Sequence, residues 1–177
     1  GKSLQVLQPL ALHMHEQKQG EEGERVARRE EIEPIIAPYL VSIGLKAEDA
    51  SGFLDSIRDR SGLLVEQGLD IFGFQHQTFQ EYLAAREIAE RAKFDVLISH
   101  FGDSYWQEVT LLCAGIRDAS DLLRGILSLS DEKVTDHWRL VLQVMDEALS
   151  VDEETRKAVF FHLIHRVKIL ARGGKAV

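Results

Sequence analysis

Through residues 63–76 the apolar residues stop recurring every third or fourth position and begin to alternate. Residues 63–66 and 70–76 are short runs rich in aliphatic and aromatic side chains, with Gln67-Gly68 as a turn between them, which is the pattern of a β-hairpin. Phe72, Phe74 and His76 then fall on one face of the second strand. On both sides of this segment the helical period holds, so the hairpin is a small insertion in a mainly α fold.

Upstream, Ser3 is positioned to cap a one-faced helix on which Leu4, Leu7, Leu10, Ala11 and Met14 recur, ending near Gln19-Gly20. Residues 21–31 are almost all charged and contain Gly23, which reads as a solvated loop or an exposed helix without chemistry. Ile32, Ile35, Ile36, Tyr39, Leu40 and Ile43 resume the helical period. Pro34 and Pro38 place the start of that regular helix at one of the prolines, and Gly44 ends it. Residues 48–60 form another helix, with Phe53, Leu54 and Ile57 on one side and Ser61-Gly62 as the stop.

Past the hairpin, Thr78 with Glu81 three residues on reads as a capping box, and Phe79, Tyr82 and Leu83 as a buried stripe. Helix, helix, hairpin, helix is a winged-helix-like order. The remainder is helical. Trp106, Val109, Thr110 and Cys113 form one stripe and Leu122, Leu123, Ile126 and Leu127 a second, with Gly115 and Gly125 as separators. Val134, Trp138, Val141, Leu142 and Met145 form a further stripe, and Phe160, Leu163, Ile164 and Val167 another. In that last helix Asp152, Glu153 and Glu154 precede Arg166, Lys168 and Arg172, which suits the helix dipole. The expected architecture is a winged-helix-like subdomain with one short β-hairpin, followed by a packed antiparallel helical array.

The 177 residues, 45% of them hydrophobic, suffice for one ordinary domain or two small ones. A net charge of -8 gives no general attraction to nucleic acid or anionic lipid. Cys113 stands alone, which excludes an internal disulfide and fits the reducing cytoplasm. No stretch approaches the roughly 20 apolar residues of a membrane span. The opening Gly1-Lys2-Ser3 lies inside a helical pattern and reads as an excised boundary; without a preceding strand and an earlier glycine it is not a phosphate loop. His13 and His15 point to different sides of their helix and His162 and His165 share one, but two ligands do not make a zinc site, and both pairs are expected to be solvated. Cys113 reads as a small buried hydrophobe. No metal site and no catalytic set of nucleophile, base and orienting group can be assembled.

The run Arg60-Ser61-Gly62-Leu63-Leu64-Val65-Glu66, followed by Phe74-Gln75-His76-Gln77-Thr78-Phe79-Gln80-Glu81-Tyr82-Leu83-Ala84-Ala85, resembles the winged-helix signature of NACHT-family (STAND-class) NTPases. Residues 100–109 and Leu111-Leu112-Cys113-Ala114-Gly115 resemble the helices that follow it, and Leu10-Ala11-Leu12-His13-Met14-His15-Glu16 the helical lid before it. The resemblance implies three parts. They are the end of a helical lid domain at 1–20, a winged-helix domain at 21–92 with its hairpin at about 62–76, and a second helical domain at 93–177. It also implies a segment that is not an enzyme by itself. The partners are the upstream nucleotide-binding domain and a downstream sensor of the same protein, with homo-oligomerisation of the parent left open. ADP/ATP or GDP/GTP with magnesium belongs to the parent and no cofactor to this segment.

By the same resemblance, His76 matches the family's winged-helix histidine, which touches the terminal phosphate of bound ADP and latches the closed state. As a residue type alone, His76 is an ordinary polar group at a strand end. Two other functions compete. A helical scaffold for protein–protein interaction is permitted by the helical C-terminal half. A winged-helix DNA-binding regulator requires a basic recognition helix, whereas residues 78–91 set Glu81, Glu87 and Glu90 against Arg86 and Arg91.

Overall fold

The structure, a computed structural model, describes residues 2–17 and 26–173, with side chains through Lys168 except that of Arg166. Its elements fall into two compact units, Gly1–Glu87 and Ile88–Val177. It is mainly helical with one small antiparallel sheet.

In the first unit α1 (Lys2–Glu16) is followed by β1 (Val26–Arg28), α2 (Arg29–Ser42), a 3-10 turn at Ala47–Asp49, α3 (Ala50–Ser61), β2 (Leu64–Gly68), β3 (Ile71–Phe74) and the start of α4 (Gln77–Arg91). The expected hairpin is β2–β3, and α3 ends where Gly62 adopts a left-handed φ of 62°. The turn lies at Leu69-Asp70 instead of Gln67-Gly68, because a bulge between Glu66 and Gly68 extends β2. A third strand joins: β1 pairs antiparallel with β3, Ala27 opposite Phe72, so the sheet order is β1-β3-β2. Of the charged run, residues 21–25 lie outside the described residues and Val26 opens β1.

Helix α2 begins five residues before Pro34 and runs through both prolines. Two features override the ring constraint. The Glu31 carboxylate accepts the Arg28 N–H at 2.8 Å, closing the first turn, and Ile32, Ile36 and Leu40 are all buried on one stripe. Helix α1 is not one-faced, since every residue from Val6 to Leu12 is buried, as are Met14 and His15. It already includes Lys2, so Ser3 is not its cap, and it ends at Glu16; Gln19 and Gly20 lie outside the described residues. On α3, Leu54 and Ile57 are buried and Phe53 only half so.

The Arg29 side chain ties these parts together. Its Nε donates to Asp70 in the hairpin turn at 2.6 Å, its Nη2 to Asp55 on α3 at 2.9 Å and its Nη1 to the Ser51 hydroxyl at 2.9 Å. The guanidinium carbon also stands 5.0 Å from the centre of the Phe72 ring. Its hydrogen bonds to Asp70 and then to Asp55 hold its pKa above the usual arginine range.

The second unit contains α5 (Phe94–Ser99), α6 (Ser104–Ile116), α7 (Ser120–Leu127), α8 (Asp131–Asp136), α9 (Trp138–Glu147) and α10 (Glu153–Gly173). The α6 stripe of Trp106, Val109, Thr110 and Cys113 is buried as expected, and so are Leu122, Leu123 and Ile126 on α7. The two glycines are not separators. Gly115 lies in the last turn of α6 and Gly125 inside α7, where a Cβ would overlap the Cδ1 of Ile98 on α5. The Val134-to-Met145 stripe is broken at His137, and the new helix buries Leu140, Val141 and Val144, leaving Leu142 and Met145 half-buried. On α10 only Leu163 of the expected stripe is half-buried. Thr155 and Val159 are buried, while Phe160, Ile164 and Val167 are exposed.

Two loops fasten this unit. The Ser150 N-terminal neighbour Leu149 donates its N–H to Ala114 O, and Ala119 N–H donates to Ser150 O, both at 2.9 Å. The Asp118 carboxylate accepts the Ser150 hydroxyl at 2.6 Å and the Ser120 N–H at 3.0 Å, which lowers its pKa. The Asp152 carboxylate caps α10 by accepting the Thr155 N–H at 2.7 Å and also accepts Arg124 Nη1 at 2.6 Å. Those bonds, the Thr155 one first, lower its pKa as well.

Three outcomes follow from these contacts. Arg29→Met is expected to destabilise the protein by about 1–2 kcal/mol, since its carboxylate partners keep access to water, read as a lowered urea midpoint. Gly125→Ala is expected to destabilise: overpacking against Ile98 costs about 1–3 kcal/mol, against about 1 kcal/mol gained in helix propensity. Ile98→Val, which removes the overlapping methyl, should shrink that loss in a double-mutant cycle. Because the Asp118 and Asp152 carboxyls are depressed on folding, the stability they contribute is complete above the usual carboxylate pKa near 4 and drains as pH falls toward the lowered values. Unfolding midpoints should therefore be flat from about pH 7 to 5 and fall below about pH 4, with a shallower fall in Asp152→Asn.

Candidate functional site

The residue of interest stands in the two-residue link between β3 and α4. Strand β3 is the middle strand of the sheet, fixed by β1 on one edge and β2 on the other. It delivers the chain to Gln75, whose N–H donates to Leu63 O at 2.9 Å, and then to His76, whose carbonyl accepts the Phe79 N–H at 3.1 Å. The backbone of the link is thus held at both ends. Phe72 and Phe74 are buried as the alternation requires, but the strand ends at Phe74 and the His76 side chain is exposed.

Helix α4 begins at Gln77, one residue earlier than a Thr78 cap allows. Glu81 is therefore not the far half of a capping box; its carboxylate, nearly buried, accepts a hydrogen bond from Gln77 Nε2. The inward side of α4 carries Gln80, Leu83, Ala84, Ile88 and Ala89, all buried. Of the expected stripe only Leu83 is in the core. Phe79 is 41% and Tyr82 40% exposed. Spaced three apart, His76, Phe79 and Tyr82 share the outward side, and the His76 and Phe79 rings lie 5.6 Å apart at a tilt of 53°. Residue type hid this aromatic pair. The small, closely fitted Ala84, Ala85 and Ala89 are the sequence signal that the core side of α4 lies elsewhere.

This arrangement offers an accessible imidazole, able to donate one N–H to an anionic oxygen, beside the Phe79 ring. Elsewhere, His15 is buried, against the solvated reading of its pair, while His13 is half-buried. His162 is half-buried and His165 exposed on α10. Among the described residues no group of three or more His, Cys, Asp or Glu could hold a metal ion. Cys113 is buried and its desolvation pushes the thiol pKa up to about 12, so it is inert at neutral pH. Lys2 and Ser3 open α1, and Gly1 lies outside the described residues. None of the helices among the described residues is long and apolar enough to cross a membrane.

A family model described as the winged helix-turn-helix domain C-terminal to NACHT matches residues 2–88. No curated protein and no solved structure matches the chain. The matched domain is the one described as following NACHT, and not the nucleotide-binding domain itself. Over residues 2–88, with helices, a three-stranded sheet and His76 at its exit, the chain belongs to the family of winged helix-turn-helix domains C-terminal to NACHT.

Proposed function

We propose that this chain is a regulatory module of an intracellular NACHT-type signal-transduction NTPase, in which His76 latches the ADP-bound closed state. The observation that carries this reading is the placing of His76: its backbone is pinned on both sides while its imidazole is exposed, so it can meet a group outside its own domain without rearrangement. The occupant is the terminal phosphate of ADP held by the upstream nucleotide-binding domain, where magnesium and ATP or GTP also belong. A hydrogen bond from the imidazole to a charged phosphate oxygen contributes about 1.5–3 kcal/mol, roughly a ten- to hundredfold bias between states. A nucleotide with one more phosphate crowds the same position, so exchange releases the latch and frees the winged helix to pass the change to a downstream sensor or effector. The outward side of α4 favours this over a DNA-reading role, since it presents aromatic rings and not a row of basic side chains.

The test is calorimetry of ADP binding to the parent protein extended upstream through its nucleotide-binding domain, with the 177-residue chain as blank. The chain alone should be silent, and His76→Ala in the extended protein should bind ADP at least about tenfold more weakly, which corresponds to about 1.4 kcal/mol. Equal binding by the mutant reduces His76 to a structural residue and favours a helical scaffold for protein–protein interaction.

A further inference from the structure

Helix α10 carries its apolar side chains on the wrong side for its own core. The inward side is made by Thr155, which accepts Arg124 Nη1 through its hydroxyl at 2.7 Å, and by Val159, His162 and Leu163, which line one small cavity together with Leu127, Val134, Trp138 and Val141. Away from it project Phe160 at 52% exposure, Phe161 at 74%, Ile164 at 54% and Val167 at 65%. Scattered exposed apolar residues are ordinary, but four large ones on a single helix form an apolar face.

Their spacing is that of a coiled-coil seam. Glu153, Lys157, Phe160, Ile164 and Val167 follow one another at alternating intervals of four and three, and Thr155, Val159 and His162 occupy the opposite side of the same heptad. Seam and core side therefore do not compete. The charge along the helix is polarised, with Glu153 and Glu154 at its start and Arg166, Lys168 and Arg172 toward its end. A parallel partner of the same sequence would set like charges side by side, while an antiparallel one sets acidic ends against basic ends and opposes the helix dipoles.

We propose that the exposed side of α10 is the seat of a second copy of this chain, the two α10 helices pairing antiparallel about a two-fold axis. In the register that uses the whole apolar seam, Phe160 faces Ile164 of the other copy and Lys157 faces Val167. On the flanks Phe161 meets its own counterpart and Glu154 meets Lys168. Such pairing is isologous: each contact occurs twice, except the Phe161 pair on the axis. Lys157, already held by Glu153 at 2.5 Å, is the polar seam residue that penalises other registers. One helix pair of about 30 Å buries less than a standard interface, so the dimer is reversible and concentration-dependent.

Sedimentation equilibrium of the 177-residue chain over a wide concentration range is the test, with circular dichroism to check that each variant keeps its helix. The expected result is a monomer–dimer equilibrium that Ile164→Glu shifts to monomer. Glu154→Lys and Lys168→Glu should each weaken the dimer at least about tenfold, and the two together should restore it. Under mild oxidation Phe161→Cys should give a covalent dimer and Val167→Cys should not, the native Cys113 being buried. A chain that stays monomeric throughout overturns the proposal. So does a dimer indifferent to Ile164→Glu, or a charge exchange that fails to restore pairing; should Ile164→Glu lose helix, the charge exchange decides alone.

Discussion

One guanidinium organises the winged-helix unit. Arg29 sits where β1 becomes α2, and from there it reaches the hairpin turn through Asp70, α3 through Asp55 and Ser51, and the core through the face of Phe72. Its own N–H also donates to Asp70 O at 2.8 Å, so backbone and side chain grip the same turn. Asp70 holds a positive φ of 55°, a conformation unfavourable for a residue with a Cβ, and these two bonds hold it there together with its own N–H, which donates to Glu66 Oε1 at 3.0 Å. A planar fork with five donors in fixed directions suits a junction of three elements; a lysine has three donors on one nitrogen and no fixed spread between them.

The hairpin, the Gly62 and Gly44 stops and the α6 and α7 stripes were legible because each is encoded locally, in a period or a left-handed glycine. What escaped was set by partners distant in sequence. Strand β1 has three residues, too few to show alternation, and it is a strand because Val26, Ala27 and Arg28 find β3 some 45 residues later. The prolines of α2 mark a stop by propensity, but the burial of Ile32, Ile36 and Leu40 outweighs two missing hydrogen bonds. The phase slip at His137 leaves no mark in a pattern read as continuous.

Around the candidate site the same division holds. The position of His76, just past a strand and before a helix, was visible in the sequence, and so was the family to which residues 2–88 belong. The surroundings were not. Phe79 and Tyr82 read as core because aromatic residues usually are, yet helix α4 buries alanines, and Glu81 serves Gln77 instead of a free N-terminal amide. Leu83, Ile88 and the alanines lie inside, while the two aromatic rings stay partly outside. Helix α10 repeats that inversion with Val159 inside and Phe161 outside.

The order of strands has a further consequence for how firmly His76 is held. Because β3 is central, its amides are locked by a neighbour close in sequence on one side and by one that arrives across two intervening helices on the other. Both edge pairings include Phe72, and closing the β1 pairing spans α2 and α3, a long loop closure. The segment that presents the histidine is thus tied at its root to the most long-range pairing of the sheet, so whatever loosens that pairing also loosens the footing of an imidazole that itself stays on the surface.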